Sequence, residues 1–554
     1  MVKPHLEDGG REVVRGPASD WFSWLTQHAE SLCRLAAYSG AFLVAGTFAY
    51  HFAHHSPAYL GLLEDDYFYY ATVADNLVTH GRLSYDGVTS TNGFHPLWFA
   101  VIALLRALLG RFGAAYYGGL IAVGLISACL TYELGRRFAR QLGSSAAAAA
   151  VIAAVYAFAT ARLLANGMES TIAVPLMLWL LLELARPAEM TVRRSMRLGF
   201  IASLAVLARL DIGIAVAIAI SGFVVLARPG FSEGLRLLLG FAGGGILVPL
   251  YALWNFIEFG SPLPVSALAK QLVVTRGFST GYVRYLAFGT EFGPSIALIL
   301  PLGFAALLLL TRQNPARRTA HFAGAVIMVF AGVFFFLNAL SGWIFFGWYA
   351  YPLPAAAIAA LAFIDQRFIS SREQRRSIAI AACIVVAAGS AISLKYFIEH
   401  GPKWSVGDNA LLATAYDLAA HMQQHRGLIS MGAIAGVVGY VADRPLLQLE
   451  GILADAHLVE HIRRQDSLAS VLAEYRADYL IVSVAGIPLE IHDGCAVITQ
   501  PHAQWAGTRT AKMRGELCSP PIEHFYTEAG RNPWSVFPRV ETFVWDLRNA
   551  IWRE

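Results

Sequence analysis

Charge is what this chain has least of: Asp, Glu, Lys and Arg make up 14% of its 554 residues, against about 25% in soluble globular proteins. With 56% hydrophobic residues and a mean hydropathy of +0.52, the deficit excludes an ordinary soluble domain and implies an integral membrane protein. The net charge of +4 sits in short arginine clusters between apolar runs. That pattern excludes a nucleic-acid footprint and reads as membrane topology. There is no Gly-x-x-x-x-Gly-Lys-Ser/Thr phosphate loop, which argues against an ATP-driven pump. No Cys-x-x-Cys or His-x-x-x-His spacing rises above chance, so neither a metal centre nor another cofactor is indicated. A cleavable leader is also missing: residues 1–33 are polar and mixed in charge, and read as a cytoplasmic tail. Cysteine is scarce, at five residues. Cys33, Cys129 and Cys383 lie in or near apolar runs and read as buried thiols, whereas Cys495 and Cys518 fall in a later, more polar segment. An oxidising compartment would allow those two to pair; otherwise they stand as two unpaired thiols.

What the chain does have is long apolar runs. A membrane helix needs about 20 mostly apolar residues. Candidates fall near 34–53, 115–134, 145–165, 171–186, 197–211, 213–228, 236–257, 294–311, 321–340, 350–365 and 377–397. Every second loop is rich in arginine, as with Arg136, Arg137 and Arg140, then Arg193, Arg194 and Arg197, then Arg312, Arg317 and Arg318. The positive-inside rule makes those loops cytoplasmic. The alternation requires the segment from His95 to Gly110 to lie along the outer face. The expectation is a polytopic α-helical membrane protein of about eleven transmembrane helices, with outer juxtamembrane helices in its first loop. Residues 34–400 form the membrane domain. Residues 401–554 change character: short strands at Leu428–Met431, Leu446–Leu449 and Tyr479–Ser483 flank an amphipathic helix over His457–Glu474, which predicts a small exterior α/β domain.

Chemistry is suggested where costly residues gather on the outer side. Asp65 and Asp66 follow the first apolar run directly, and carboxylates at a bilayer rim are expensive unless paired, hydrated or used. Two readings stand together: one carboxylate caps the amphipathic helix that begins near Tyr67, the other acts as a general base. Asn92 and His95 lie in the cluster Thr91-Asn92-Gly93-Phe94-His95-Pro96-Leu97-Trp98, which reads as a turn and a helix start. There His95 is either a solvated anchor or a contact to an anion. Glu169 occupies a tight turn and can cap the next helix or work at a site. Arg209 and Asp211 interrupt an apolar run and need each other or a wet cavity. Lys270 and Arg276 are cations on the cation-poor side, suited to a phosphate or to lipid headgroups. Trp348 and Tyr349 belong to an aromatic stretch that fits an interfacial belt or a sugar-stacking surface.

The order of these strings resembles the GT-C superfamily of membrane glycosyltransferases. Glu64-Asp65-Asp66-Tyr67-Phe68-Tyr69 is similar to the family's first-loop acidic-aromatic motif. Thr91-Asn92-Gly93-Phe94-His95-Pro96-Leu97-Trp98 stands where protein O-mannosyltransferases and aminoarabinose transferases carry a Pro-Pro-Leu-type motif. Asn166-Gly167-Met168-Glu169-Ser170-Thr171 resembles the Gly-Met-Glu-Thr string of bacterial arabinofuranosyltransferase- and mannosyltransferase-like members. Ala208-Arg209-Leu210-Asp211, Phe259-Gly260-Ser261-Pro262-Leu263-Pro264 and Leu447-Gln448-Leu449-Glu450-Gly451 recur there too. The resemblance implies a polyprenyl-phosphate sugar donor, a cell-envelope glycan or glycolipid acceptor, and inverting displacement on the periplasmic side of a bacterial inner membrane. The sugar would be a pentose such as arabinofuranose, or a hexose. Asp65 or Asp66 would take the acceptor proton. Tyr67, Asn92, His95, Glu169, Arg209, Asp211, Lys270, Arg276, Trp348 and Tyr349 would line the substrate site. Some members use a divalent ion. The chain departs from the pattern at His95-Pro96, where several relatives carry Lys-Pro-Pro or His-Pro-Pro, so a lysine contact to the lipid phosphate is not carried over to position 95.

A transporter or flippase of a lipid-linked intermediate is the competing class. It predicts internal repeats and charges near mid-membrane. No clear repeat is visible, and most charges fall at one face of the membrane.

Overall fold

The computed structural model describes residues 17–54, 60–61, 63–110, 113–159, 166–272, 277–278, 293–313, 317–341, 346–368, 410–432, 434–484, 488–500, 511–528 and 539–553. The membrane part is helical: α1 Pro17–His54, α2 Asp65–His80, α3 Pro96–Leu109, α4 Ala114–Leu142, α5 Ala146–Ala159, α6 Ser170–Ala185, α7 Val192–Ala208, α8 Ile212–Ala227, α9 Phe231–Gly244, α10 Leu247–Phe259, α11 Val265–Ala269, α12 Gly293–Gln313 and α13 Arg318–Ser341, then a 3-10 turn at Gly347–Ala350 and α14 Leu353–Phe368. Helices occupy the expected apolar runs from 34–53 to 350–365, and the run at 377–397 lies outside the described residues. Among the described residues, three segments are long and apolar enough to cross a bilayer: α4, α13 and the continuous stretch Gly347–Phe368. The expected single crossing at 236–257 is instead the pair α9 and α10, bent by 60°. The cause is local. A Cβ on Gly244 would lie 1.8 Å from the carbonyl oxygen of Met196, so the glycine run lets α9 press backbone to backbone on α7 before the chain turns. Helix α1 passes without interruption from the polar amino-terminal segment into the first apolar run, since no Gly or Pro occurs between Ala18 and Ser39.

The helix ends sort by chemistry. At one end, Arg136 bonds Glu30 at 2.7 Å and Glu133 at 2.9 Å. There too the buried Glu183 pairs with Arg186 at 3.3 Å and with Arg197, and Asp365 accepts from the Ser145 amide at 3.3 Å. The starts of α2, α3, α6, α8 and α14 lie at the opposite end, beside the turns 166–169 and 209–211.

The carboxyl-terminal part adds α15 Ala410–His421, β1 Ile429–Met431, α16 Ala435–Ala442, β2 Leu446–Gln448, α17 Ala456–Arg464, α18 Leu468–Glu474, β3 Tyr479–Val484, β4 Glu490–His492, β5 Cys495–Gln500, β6 Met513–Leu517, β7 Glu523–Glu528, β8 Arg539–Asp546 and β9 Trp552–Arg553. Strands β2-β1-β3-β8-β7 form a mixed sheet and β4-β5-β6-β9 a second, antiparallel one. The single helix expected over His457–Glu474 is two helices. Gln465 adopts a left-handed φ of 59°, and its amide returns to the carbonyls of His461 and Ile462, which ends α17. Cys495 and Cys518 are joined by a disulfide.

Candidate active site

Helix α2 separates two duties that its first two residues share in sequence. Glu64 holds the cap position, but its side chain does not cap the helix. Asp65 turns away from α2 and caps α16 of the carboxyl-terminal part: Oδ1 accepts from the Val437 amide at 2.7 Å and Oδ2 from Gly436 at 3.4 Å. A Cβ on Gly436 would lie 2.2 Å from the Asp65 carbonyl oxygen, so only glycine allows this approach. Burial pushes the Asp65 carboxyl up to about 6, while the amides of Val437 and Gly436 and the Tyr69 hydroxyl pull it down.

Asp66 faces a small cleft of about 50 Å³ with Tyr69, Tyr70, His95, Glu169, Lys270, Trp348 and Tyr349. Ile452 and Leu453 of the exterior domain close it from above. They reach it because a Cβ on Gly93 would lie 1.8 Å from the Ile452 carbonyl oxygen. Burial holds the Asp66 carboxyl well above the usual range, Lys270 opposes this, and Asp65, Glu450 and Glu169 add to it. Lys270 donates to the Tyr349 hydroxyl at 2.9 Å. Burial works against its charge, but Tyr349 and Asp66 outweigh this and raise its pKa. Glu450, which the sequence reading did not place in the site, is pushed to about 7 by burial and then by Asp65.

Beneath the cleft lies a closed ionic network. Arg209 is 3% exposed. It bonds Glu169 at 2.8 Å and Asp211 at 3.0 Å, and its guanidinium lies 4.4 Å from the Tyr351 ring centre. Tyr351 donates to Asp211 at 2.8 Å, and Tyr70 to Glu169 at 3.3 Å. Glu169 therefore spends its carboxylate on Arg209 and makes no side-chain cap. His95 accepts the Leu210 amide at Nδ1, 3.3 Å away, which leaves the proton on Nε2, 3.8 Å from Glu169. Burial lowers its pKa to about 4, Glu169 notwithstanding. His95 thus offers an N–H donor at Nε2 on the wall of the cleft.

Several expected substrate contacts lie elsewhere. Tyr67 is fully buried, with its hydroxyl 2.8 Å from that of Tyr116. Asn92 is 1% exposed and ties the first loop to α10 and α11 through Asn255 at 3.1 Å and the Val265 amide at 2.8 Å. Neither side chain lines the cleft. Both are polar groups whose bonds are satisfied inside the protein, which periodicity cannot distinguish from a ligand contact. Arg209 and Asp211 also stand behind the cleft wall. Arg276 lies outside the described residues.

The far side of α2 opens on a second, polar cleft of about 1050 Å³. Asp75 and Arg106 from the first loop, 2.6 Å apart, face Arg444 of the exterior domain across it. Among the described residues, the one three-ligand His/Glu cluster, His457, His461 and Glu474, lines neither cleft.

The fold is shared with a solved structure. The chain is similar to the crystal structure of ArnT from Cupriavidus metallidurans in the apo state, at a TM-score of 0.51 and 13% identity over 95% of this chain and 98% of that one. It also matches the Archaeoglobus fulgidus oligosaccharyltransferase, crystallised with a tethered acceptor peptide containing the NVT sequon, at a TM-score of 0.49 and 12% identity over 83% of this chain and 70% of that one. No family model and no curated protein matches the sequence.

Proposed function

We propose that this protein is a membrane glycosyltransferase that moves a sugar from a polyprenyl-phosphate donor to a cell-envelope glycan or glycolipid, with Asp66 as the base. The observation that carries this reading is the division of labour in the acidic pair. Asp65 is committed to the α16 amides, whereas Asp66 looks into a cleft that also holds Lys270. An alcohol proton is hard to remove near neutral pH, and a positioned base contributes about 10²–10⁴-fold. The departing lipid phosphate gains negative charge as the glycosidic bond breaks, and Lys270 offsets it. Helix starts at Asp65, Pro96, Ser170 and Leu353 add positive ends of helix dipoles around the same region. In this reading Glu169, Arg209 and Asp211 position the wall, and Trp348 and Tyr349 face the sugar. The fold shared with ArnT supports the class of reaction, and the string Asn166-Gly167-Met168-Glu169-Ser170-Thr171 favours an arabinofuranosyltransferase- or mannosyltransferase-like member. The arginine-poor surroundings of the site support an outward-facing position, by the positive-inside rule.

The test is turnover of polyprenyl phosphosugar by purified protein, read as released polyprenyl phosphate. Asp66→Asn should lose about 10²–10⁴-fold and still bind donor. Asp65→Ala should keep measurable turnover and lose about 1 kcal/mol of stability as a lost helix cap. Full activity of Asp66→Asn rejects the assignment. The ion pairs of Glu169, Glu183 and Arg136 lie near helix ends and not midway along them, so nothing here favours a transporter.

A further inference from the structure

His457 and His461 stand one turn apart on α17, and Glu474 ends α18 beside them. His457 Nε2 lies 2.5 Å from Glu474 Oε1. His461 Nε2 lies 3.1 Å from His457 Nε2 and 3.3 Å from Glu474 Oε2. The ligating atoms of all three lie within 4.8 Å of one another. A tetrahedral zinc with bonds of 2.0–2.1 Å sets its ligands about 3.3 Å apart, close to two of these separations. Across the ring, His461 Nδ1 meets Asp466 Oδ2 at 2.7 Å. A carboxylate there holds the proton on Nδ1 and turns the Nε2 lone pair inward, as outer partners of metal-bound histidines do. That lone pair then faces a carboxylate oxygen and a second imidazole nitrogen, electron-rich atoms that either the proton on His457 Nε2 or one bound cation can hold together.

We infer that His457, His461 and Glu474 bind a zinc ion, with Asp466 orienting His461 and the fourth position open to water. Two imidazoles and one carboxylate suit zinc and other late first-row ions, whereas magnesium and calcium take oxygen sets. The side chains of His457 and Glu474 are 57% and 51% exposed, so the ion enters from solvent. The spacing His457-Leu458-Val459-Glu460-His461 matches that of peptidase helices. Here, though, Glu460 is held by Arg463 at 2.5 Å and Arg464 at 2.6 Å, which removes the base such chemistry needs. The site is a brace. It ties α17 to α18, and α17 in turn packs through Val459 and Ile462 around Gly451, whose other side meets Ala269, the neighbour of Lys270.

The full chain, purified in detergent and stripped with a chelator, tests this by zinc titration with metal analysis and a melting curve. The wild type should take up zinc and melt a few degrees higher, with no response to magnesium. Cobalt should give the visible absorption of a tetrahedral site. His457→Ala/His461→Ala should lose one equivalent and the melting shift, and Asp466→Asn should bind about 10–100-fold more weakly. The competing account makes His461 an imidazolium held between Asp466 and Glu474. It is established, and the zinc site rejected, if the wild type takes up no zinc or if the double variant binds it with unchanged stoichiometry and affinity.

Discussion

Two forces act in opposite directions on the Lys270 proton. Burial favours its loss, and Tyr349 and Asp66 hold it in place. The same ammonium lowers the pKa of Asp66, which burial raises. Removing the charge in Lys270→Met therefore raises the Asp66 pKa further. The base form then appears only at higher pH, so the acidic limb of the kcat profile should move up. An unmoved limb in a pH–rate series would separate Lys270 from the base. Arg209 sets a different kind of dependence. It lies between Glu169 and Asp211 with almost no solvent, and breaking such a pair leaves a buried charge unmatched, at about 3–5 kcal/mol. Arg209→Met should melt far earlier than Arg209→Met/Glu169→Gln/Asp211→Asn, because the triple variant removes the stranded carboxylates as well. Thermal scans in detergent compare the two, and equal losses would mean that the network is not the source of the cost.

Two glycines decide whether the exterior domain can sit on the membrane part. Gly93 admits the Ile452 carbonyl and Gly436 admits the Asp65 backbone, each closer than any Cβ allows. Gly93→Ala should lift Ile452 and Leu453 off the cleft, and a displacement near 1 Å costs about 10²-fold in rate. Turnover together with faster amide exchange over Ile452–Leu453 checks this; a drop in rate without the exchange change would point to a different cause. These contacts mark where sequence reading stops. Apolar length reveals helices because each run carries its own signal, and strands β1, β2 and β3 announce themselves by short apolar stretches between turns. The bend between α9 and α10 does not, since it depends on the carbonyl of Met196 from another helix. Nor does the second sheet: β4 is exposed along its whole length and carries no buried-face alternation. Asp65 and Asp66 are alike in sequence because what separates them, the amides of α16, arrives from about 370 residues downstream. The His457-x-x-x-His461 spacing stays indistinguishable from chance until Glu474 and Asp466 are brought to it in space.

At the scale of the whole molecule the helices act as spacers between two unlike ends. One end gathers Glu30, Arg136, Glu183, Arg197 and Asp365; the other gathers Asp66, Glu169, Arg209 and Lys270 under the exterior domain. A lipid-borne donor meets only one membrane face at a time, so the reading of Asp66 as a base for an outside acceptor depends on which end faces out. Arginine bias argues for the Asp66 end as the outer one, and labelling tests it directly. In a variant lacking Cys33, Cys129 and Cys383, a single cysteine at Val88, 73% exposed in the first loop, should react with an impermeant thiol reagent added to intact cells. A cysteine at the exposed Arg137 should react only after the membrane is opened. Cys495 and Cys518 stay silent while bonded to each other, and become reactive from outside once a reductant splits them. The reverse pattern would put the cleft on the cytoplasmic side. Asp66 would then face soluble nucleotide sugars instead of an outward-facing lipid donor, and the polyprenyl-phosphate reading would fall even with the catalytic geometry intact.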